Sequence, residues 1–159
     1  MEPDLNWLIG SIIEEVRYDD QTQRWLFTIS GQATLYVNCP WKLVSGAKVL
    51  LASRDHGQQY GLVYPIDATV KAMELMAGRK IGSVVPDKVT SDLTIKLEGD
   101  VILRTFNDSS GFEAWQLVGP QGAEFIAQGN GNIVVFSPKE KIVTKNTTVL
   151  LNEKHDNTK

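Results

Sequence analysis

Residues 9–13 read IGSII and residues 81–85 read IGSVV, and each stretch is followed by the same order of features. In both places an alternating strand pattern, a glycine turn and a second strand pattern come next, as WLFTISGQATLYV over 25–37 and LTIKLEGDVILRT over 93–105. Ordered features at near-equal spacing indicate that the chain contains one structural unit twice.

Later features extend the duplication over most of the chain. The tetrapeptide WKLV at 41–44 matches WQLV at 115–118, and each copy closes with a hydrophobic run and a proline. We therefore divide the chain into four parts of one compact domain: a first β-rich copy at 1–66, a linking helix at 67–78, a second β-rich copy at 79–138 and a polar tail at 139–159.

Within each copy the hydrophobic pattern predicts strands. Trp25, Phe27 and Ile29 alternate with Leu26, Thr28 and Ser30, which is the period-two pattern of a strand with one buried face. Asn130-Gly131 between two apolar runs is typical of a type I′ hairpin turn. The predicted fold class is α+β, mainly β: a tandem duplication of an about five-stranded antiparallel β unit, with one buried helix between the copies.

The predicted helix covers roughly residues 68–77. Asp67 is placed to cap its first turn, and Gly78 is placed to end it. Only Lys71 and Glu74 are charged, and apolar side chains occupy most of the remaining circumference. We therefore expect a helix that is buried on more than one side, packs between or across the two sheets and holds the two copies together.

Cysteine content and hydropathy exclude several classes of protein. The single cysteine, Cys39, cannot form an internal disulfide and cannot provide a zinc site by itself. The N-terminus lacks the basic and apolar regions of a secretory signal, and no apolar run approaches the length of a membrane span. We expect a soluble, cytoplasmic protein with no cofactor, no metal site and no membrane partner.

The charge is unevenly distributed along the chain. Residues 1–136 carry 11 basic and 16 acidic side chains, whereas residues 137–159 carry 5 and 3. A negative body repels phosphate backbones, so nucleic acid is not an expected partner. A basic protein is the better candidate.

The first predicted hairpin carries four carboxylates around one tyrosine, a set that we call the acidic rim: Glu14, Glu15, Tyr18, Asp19 and Asp20. An exposed negative surface with one large aromatic residue suits recognition of a basic protein. The alternative is a solvated turn without a partner.

Glu113, two residues before Trp115, is a second candidate for partner binding. The alternative is that Trp41 and Trp115 are matching core residues of the two copies, with Glu113 paired to an arginine or placed at a sheet edge. An enzyme would need a second carboxylate close to Glu113, for which Asp108 and Glu124 are candidates.

The remaining polar motifs favour structural explanations. The GNGN stretch at 129–132 lacks the lysine and hydroxyl residue of a phosphate-binding loop and opens a strand, so it predicts a hairpin. His56 is expected in a loop, and no second histidine or cysteine stands at metal-ligand spacing from it. Cys39 is expected to be a small buried residue.

Two motifs carry a family resemblance. The order P-W-x-L at 40–43 and E-x-W-x-L-x-G-P-x-G at 113–122, followed by a glycine-rich hairpin, resembles a family of small bacterial proteins. Some members of that family resemble immunity proteins of polymorphic or contact-dependent toxin systems. The resemblance implies a protein that occludes a cognate toxin, and it carries over no catalytic residues.

Three classes of function remain open after these considerations. The first is a binding protein that neutralises a basic toxin domain, and this is the function we predict. The second is a self-associating module that forms a homodimer through exposed sheet edges. The third is a small hydrolase that uses Glu113 with another carboxylate.

Overall fold

A computed structural model describes residues 2–136, which form strands, one α-helix and short 3₁₀ turns. The strands of the first copy are β1 (Ile13–Asp19), β2 (Arg24–Ile29), β3 (Ala33–Val37), β4 (Trp41–Ser45) and β5 (Lys48–Ala52). Helix α1 (Ala68–Met76) follows. The strands of the second copy are β6 (Ile81–Pro86), β7 (Leu93–Leu97), β8 (Val101–Thr105), β9 (Trp115–Val118), β10 (Glu124–Ala127) and β11 (Ile133–Phe136). The predicted polar tail at 139–159 lies outside the described residues.

The strands form two antiparallel sheets, which confirms the mainly β prediction. The six-stranded sheet has the order β1-β2-β3-β9-β10-β11, and the five-stranded sheet has the order β5-β4-β8-β7-β6. The first three strands of each copy therefore share a sheet with the later strands of the other copy: β1, β2 and β3 with β9, β10 and β11, and β6, β7 and β8 with the β4–β5 hairpin. Neither copy builds a sheet alone, so the described part of the chain is one interlocked unit.

Strand register shows the duplication directly. Leu43 of β4 lies opposite Leu103 of β8, and its counterpart Leu117 of β9 lies opposite Leu35 of β3. All four leucines are almost completely buried. Equivalent residues thus occupy equivalent places in the two sheets, as expected for one packing arrangement used twice.

The match between the IGS stretches at residues 9–11 and 81–83 does not align equivalent positions of the two copies. Ile13, rather than Ile9, is the structural counterpart of Ile81, because each begins an edge strand and precedes a bulge. Gly10 belongs to the preceding turn and donates its backbone N–H to the Ile81 carbonyl at 2.8 Å. The two IGS stretches contact each other, and their identical letters do not mark equivalent positions in the two copies. What distinguishes the true counterparts is burial, since Ile13 and Ile81 both enter the core.

The core lies between the two sheets, which pack face to face. Trp25 and Phe27 of the six-stranded sheet contact Trp41 of the five-stranded sheet edge to face, at ring distances of 5.0 and 5.4 Å. Trp41 and its counterpart Trp115 are both buried. The prediction that these tryptophans are matching core residues is confirmed.

Helix α1 lies between the two copies in the chain, as predicted, and contacts one edge strand of each sheet, β1 and β5, both of which belong to the first copy. Asp67 caps it by accepting from the backbone N–H groups of Thr69 and Val70. Full burial is limited to one stripe, formed by Ala68, Ala72 and Met76, with Met73 and Leu75 partly buried on either side of it. The expectation of a helix buried on more than one side is wrong, because α1 covers the gap between two sheet edges and its outer face meets solvent.

The register also defines two ends of the molecule. One end, which we call the loop end, carries the β1–β2, β6–β7 and β10–β11 turns, the β3–β4 and β8–β9 connections and the segment that follows β5. The β10–β11 turn is a hairpin, as predicted. It is not a two-residue type I′ turn, because Gln128 and Asn132 pair around a three-residue loop in which Gly131 alone has a positive φ, of +87°.

Candidate functional site

The β1–β2 turn at the loop end is built around Asp19. Its carboxylate accepts from the backbone N–H of Gln21 at 3.0 Å and from the Thr22 hydroxyl at 2.7 Å. These hydrogen bonds, led by that from Thr22, lower the pKa of Asp19. The carboxylate of Asp87 accepts from Val89 and Thr90 in the matching β6–β7 turn. Asp19 therefore stabilises its turn, and Asp87 has the same role in the second copy.

The rest of the acidic rim is not one continuous surface. Tyr18 is half-buried, and its ring packs on Trp25 at 4.7 Å and on His56 at 5.4 Å. Glu14 and Glu15 are exposed, but they lie at the far end of β1, away from Asp19 and Asp20. The rim predicted from sequence is thus split between two ends of the molecule, with its tyrosine turned toward the core.

The segment 57–66, which we call the apolar loop, is the most hydrophobic exposed surface at the loop end. Val63 is 82% and Tyr64 79% exposed, and Tyr60 and Leu62 are also more than half exposed. Large apolar side chains in consecutive exposed positions are rare in soluble proteins and mark binding surfaces. This loop is not among the sites predicted from sequence, although its apolar residues stand together in the run QYGLVYP at 59–65.

Backbone hydrogen bonds fix the conformation of the apolar loop. Gly57 and Ile66 close its base, with Gly57 N–H donating to the Ile66 carbonyl and Ile66 N–H donating to the Gln58 carbonyl, both at 2.8 Å. Inside the loop, the side-chain amide of Gln59 donates to the carbonyl of Leu62 at 2.9 Å. The polar groups of the loop thus pair internally, while its apolar side chains point outward.

Two side chains next to the apolar loop, those of Asp55 and His56, connect it to β5 and α1. Asp55 accepts from the Ala52 backbone N–H at 2.9 Å and from the Tyr60 hydroxyl at 3.1 Å, and the second bond raises the pKa of Tyr60. His56, which lies in a loop as predicted, accepts at Nδ1 from the first N–H of α1, that of Ala68, at 3.1 Å. The loop is consequently held in place from β5 and α1.

The β8–β9 connection, residues 106–114, is the second distinctive feature of the loop end, and we call it the inserted loop. It has nine residues where the matching β3–β4 connection has three. Asn107 holds it, with its side-chain amide donating to the carbonyls of Thr90 at 3.1 Å and Gly129 at 3.2 Å. Phe112 is nevertheless 82% exposed.

Glu113 lies on the inserted loop and is exposed. It lines a cleft of about 670 Å³ together with Asp108, Phe112 and two residues of the β1–β2 turn, Thr22 and Gln23. The structure therefore brings Glu113 close to the turn that contains Asp19 and Asp20. None of the ion pairs in the described part of the chain involves Glu113, so the predicted arginine partner is not found there.

Only one of the two proposed partner carboxylates shares the cleft with Glu113. Asp108 lines it, whereas Glu124 lies on β10 and accepts a hydrogen bond from Gln116 on the outer surface of the six-stranded sheet.

Cys39, the counterpart of Glu113, is 5% exposed, and burial raises the pKa of its thiol to about 11. This thiol is therefore protonated at neutral pH, as a buried structural cysteine should be.

Residues 2–136 contain no group of three or more histidine, cysteine, aspartate or glutamate side chains placed to hold a metal ion. In the same residues no helix has the length and apolar character needed to cross a bilayer. Comparison of the chain with models of protein families, with curated proteins and with solved structures gives no match.

Proposed function

We propose that this chain is a protein-binding inhibitor that acts in the cytoplasm and occludes a basic protein, in the manner of an immunity protein. The apolar loop is the observation that carries the proposal. It presents Val63 and Tyr64 to solvent on a backbone that its own hydrogen bonds already fix. Binding through such a loop loses little conformational entropy, and rigid apolar anchors contribute most of the affinity in protein interfaces.

Carboxylates on both flanks of the apolar loop favour a basic partner, although Arg54 also places one cation near Tyr60. Asp55 bonds Tyr60, and Asp67 directly follows Ile66. Asp20 is exposed in the β1–β2 turn, two residues after Tyr18, whose ring contacts His56 before the loop. Charges of this kind increase the association rate and select partners, whereas desolvated apolar anchors determine how slowly the complex dissociates.

The proposal needs no catalytic step, because occlusion inhibits a toxin by covering its surface. The resemblance of the P-W-x-L and E-x-W-x-L-x-G-P-x-G motifs to those of some immunity proteins supports this kind of function. The strands within these motifs, β4 and β9, have one buried face each, and the apolar loop adds an exposed apolar contact surface.

The test compares the tagged wild-type chain with Val63→Asp and with the control Val85→Asp, which changes an exposed valine on β6. Each is used to capture proteins from a lysate of the source cells at low and at high salt. We expect wild type and Val85→Asp to retain one basic protein in stoichiometric amount, less at high salt, and Val63→Asp to lose it. Addition of the wild-type chain should then abolish the activity of that purified protein.

Three results would contradict the proposal. They are capture of no protein by the wild-type chain, equal capture by Val63→Asp, and a captured protein that remains fully active when bound. The first two exclude the apolar loop as the binding surface, and the third leaves binding without inhibition.

An open strand edge favours self-association as a second candidate function. β11 is the last strand of the six-stranded sheet in the part of the chain that the structure describes, and Val135 and Phe136 are each about half exposed. Such an edge can pair with a second copy. Light scattering over a range of concentrations distinguishes the two functions, because an inhibitor of the proposed kind stays monomeric while a homodimer dissociates on dilution.

A further inference from the structure

We infer that Phe112 is a second anchor of the same interface, so that the inserted loop and the apolar loop bind one partner together across the β1–β2 turn. This inference rests on the proposed function. It extends the binding surface from one loop to the whole loop end. It also adds Phe112, which lies outside the apolar loop, to the binding residues.

The two loops flank the same turn. On one side, Tyr18 at the end of β1 packs on His56, the residue before the apolar loop. On the other side, Thr22 and Gln23 of the turn line the cleft that also contains Phe112. Asp19 joins the two sides, because it follows Tyr18 in the chain and its carboxylate accepts from the Thr22 hydroxyl at 2.7 Å. A series of contacts therefore leads from the base of the apolar loop through the β1–β2 turn to the cleft beside Phe112.

The exposure of Phe112 is not a consequence of a loosely held loop. Asn107 anchors the start of the inserted loop, and the Ser109 hydroxyl accepts from the backbone N–H groups of Gly111 at 3.2 Å and Phe112 at 3.0 Å. Ala114 closes the loop through backbone hydrogen bonds to Asn38 and Ala127, both at 2.9 Å. A phenylalanine fixed in solvent by its backbone is an aromatic anchor that is ready to bind.

The two copies differ where these anchors lie. The first copy has the apolar loop after β5, where the second has the short β10–β11 turn, and the second copy has the inserted loop where the first has three residues. Both extra segments are at the loop end, and both expose large apolar side chains. Two unrelated insertions with the same property at the same end indicate one shared interface.

The arrangement defines the chemistry of the partner. It requires two apolar depressions, one for Val63 and Tyr64 and one for Phe112, separated by a cationic strip that faces the β1–β2 turn. Exposed Asp20 lies in that turn, and Glu113 and Asp108 line the adjoining cleft. A partner with lysine or arginine side chains between two apolar depressions is complementary to this surface.

The experiment uses the protein that the wild-type chain retains and Val63→Asp loses, purified and titrated against variants of the full chain. Phe112→Ala should weaken its binding by about tenfold or more, as expected for an aromatic anchor. The control Phe136→Ala removes a half-exposed phenylalanine at the opposite end of β11 and should leave the affinity unchanged. Amide hydrogen exchange should show protection on binding at 19–23, 57–66 and 107–114 together.

The outcomes separate this inference from the proposed function. Loss of binding in Val63→Asp with full affinity in Phe112→Ala, or protection confined to 57–66, overturns the inference and leaves the proposed function standing. Equal losses in Phe112→Ala and Phe136→Ala also overturn it, because the effect would then not be specific to the loop end. If the wild-type chain retains no protein, both fail.

Discussion

The two copies share their cores and differ at their loop end. Leu35 and Leu103, and likewise Trp41 and Trp115, occupy matching buried positions in the two sheets. The apolar loop and the inserted loop, by contrast, each belong to one copy only. Packing constrains the core, because each buried side chain has neighbours on all sides, whereas exposed connections tolerate insertions and can acquire a binding function.

The largest effect should be common to both copies. Leu35→Ala and Leu103→Ala each remove a leucine that is 0% exposed, and each should reduce the free energy of unfolding by about 2–5 kcal/mol. Urea unfolding of the two variants measures this. Because the sites are equivalent, their losses should agree within about 1 kcal/mol, and a larger difference would show that the two cores are packed differently.

The next effect should distinguish the copies at Gly57 and Gly131, which follow the matching strands β5 and β10 respectively. A Cβ at Gly131, which has a φ of +87°, would lie 2.0 Å from the Val89 carbonyl oxygen, whereas a Cβ at Gly57, with a φ of +79°, meets no atom within 4 Å. Gly57→Ala should therefore cost only the left-handed strain of about 1–2 kcal/mol. Gly131→Ala should cost about 3 kcal/mol or more, because the turn must also move.

Thermal unfolding of the two alanine variants compares these positions, with the wild-type chain as reference. Equal losses at Gly57 and Gly131 would contradict the close approach between the β10–β11 turn and the β6–β7 turn.

A smaller difference is expected at the matching tryptophans. Trp115 donates its indole N–H to the Ser91 carbonyl at 2.8 Å, whereas the buried indole N–H of Trp41 has no acceptor among residues 2–136. Both Trp→Phe variants remove similar ring contacts, but only Trp115→Phe breaks a buried hydrogen bond. Trp115→Phe should be the more destabilising by about 1 kcal/mol in urea unfolding. A larger loss for Trp41→Phe would show that the copies are not distinguished by this bond.

The smallest effect should again be common to both copies and depends on pH. Hydrogen bonds from the Thr22 hydroxyl and from the Thr90 backbone lower the pKa of Asp19 and Asp87 respectively. A carboxylate with a lowered folded-state pKa stabilises the fold above its unfolded pKa of about 3.9. That stabilisation is lost as the pH falls through the folded value. Both aspartates should therefore contribute to acid destabilisation.

Urea midpoints measured from pH 6 to pH 2.5 check this contribution. Asp19→Asn and Asp87→Asn should each show a smaller decrease than the wild-type chain, by similar amounts. An unchanged decrease in either variant would mean that its turn does not depend on the charged carboxylate.

Local patterns were sufficient for much of the fold. The alternation around Trp25, the cap at Asp67 and the turn at Gly99 act between neighbours in the chain, so their positions could be predicted. Proximity in sequence, by contrast, did not predict which side chains lie together on one exposed surface. Tyr18 was expected beside exposed carboxylates, but its strand turns it toward Trp25 and His56. The contact with His56 joins residues far apart in sequence, which strand periodicity does not describe.

The sequence by itself determined that the chain is mainly β, duplicated and negatively charged over residues 1–136, because these properties depend on residue type and short-range spacing. Only the tertiary structure decided that each sheet combines the first three strands of one copy with the later strands of the other, because any antiparallel edge can pair with another and packing selects among them. The same choice placed both insertions at one end. The candidate interface therefore exists only in the folded chain.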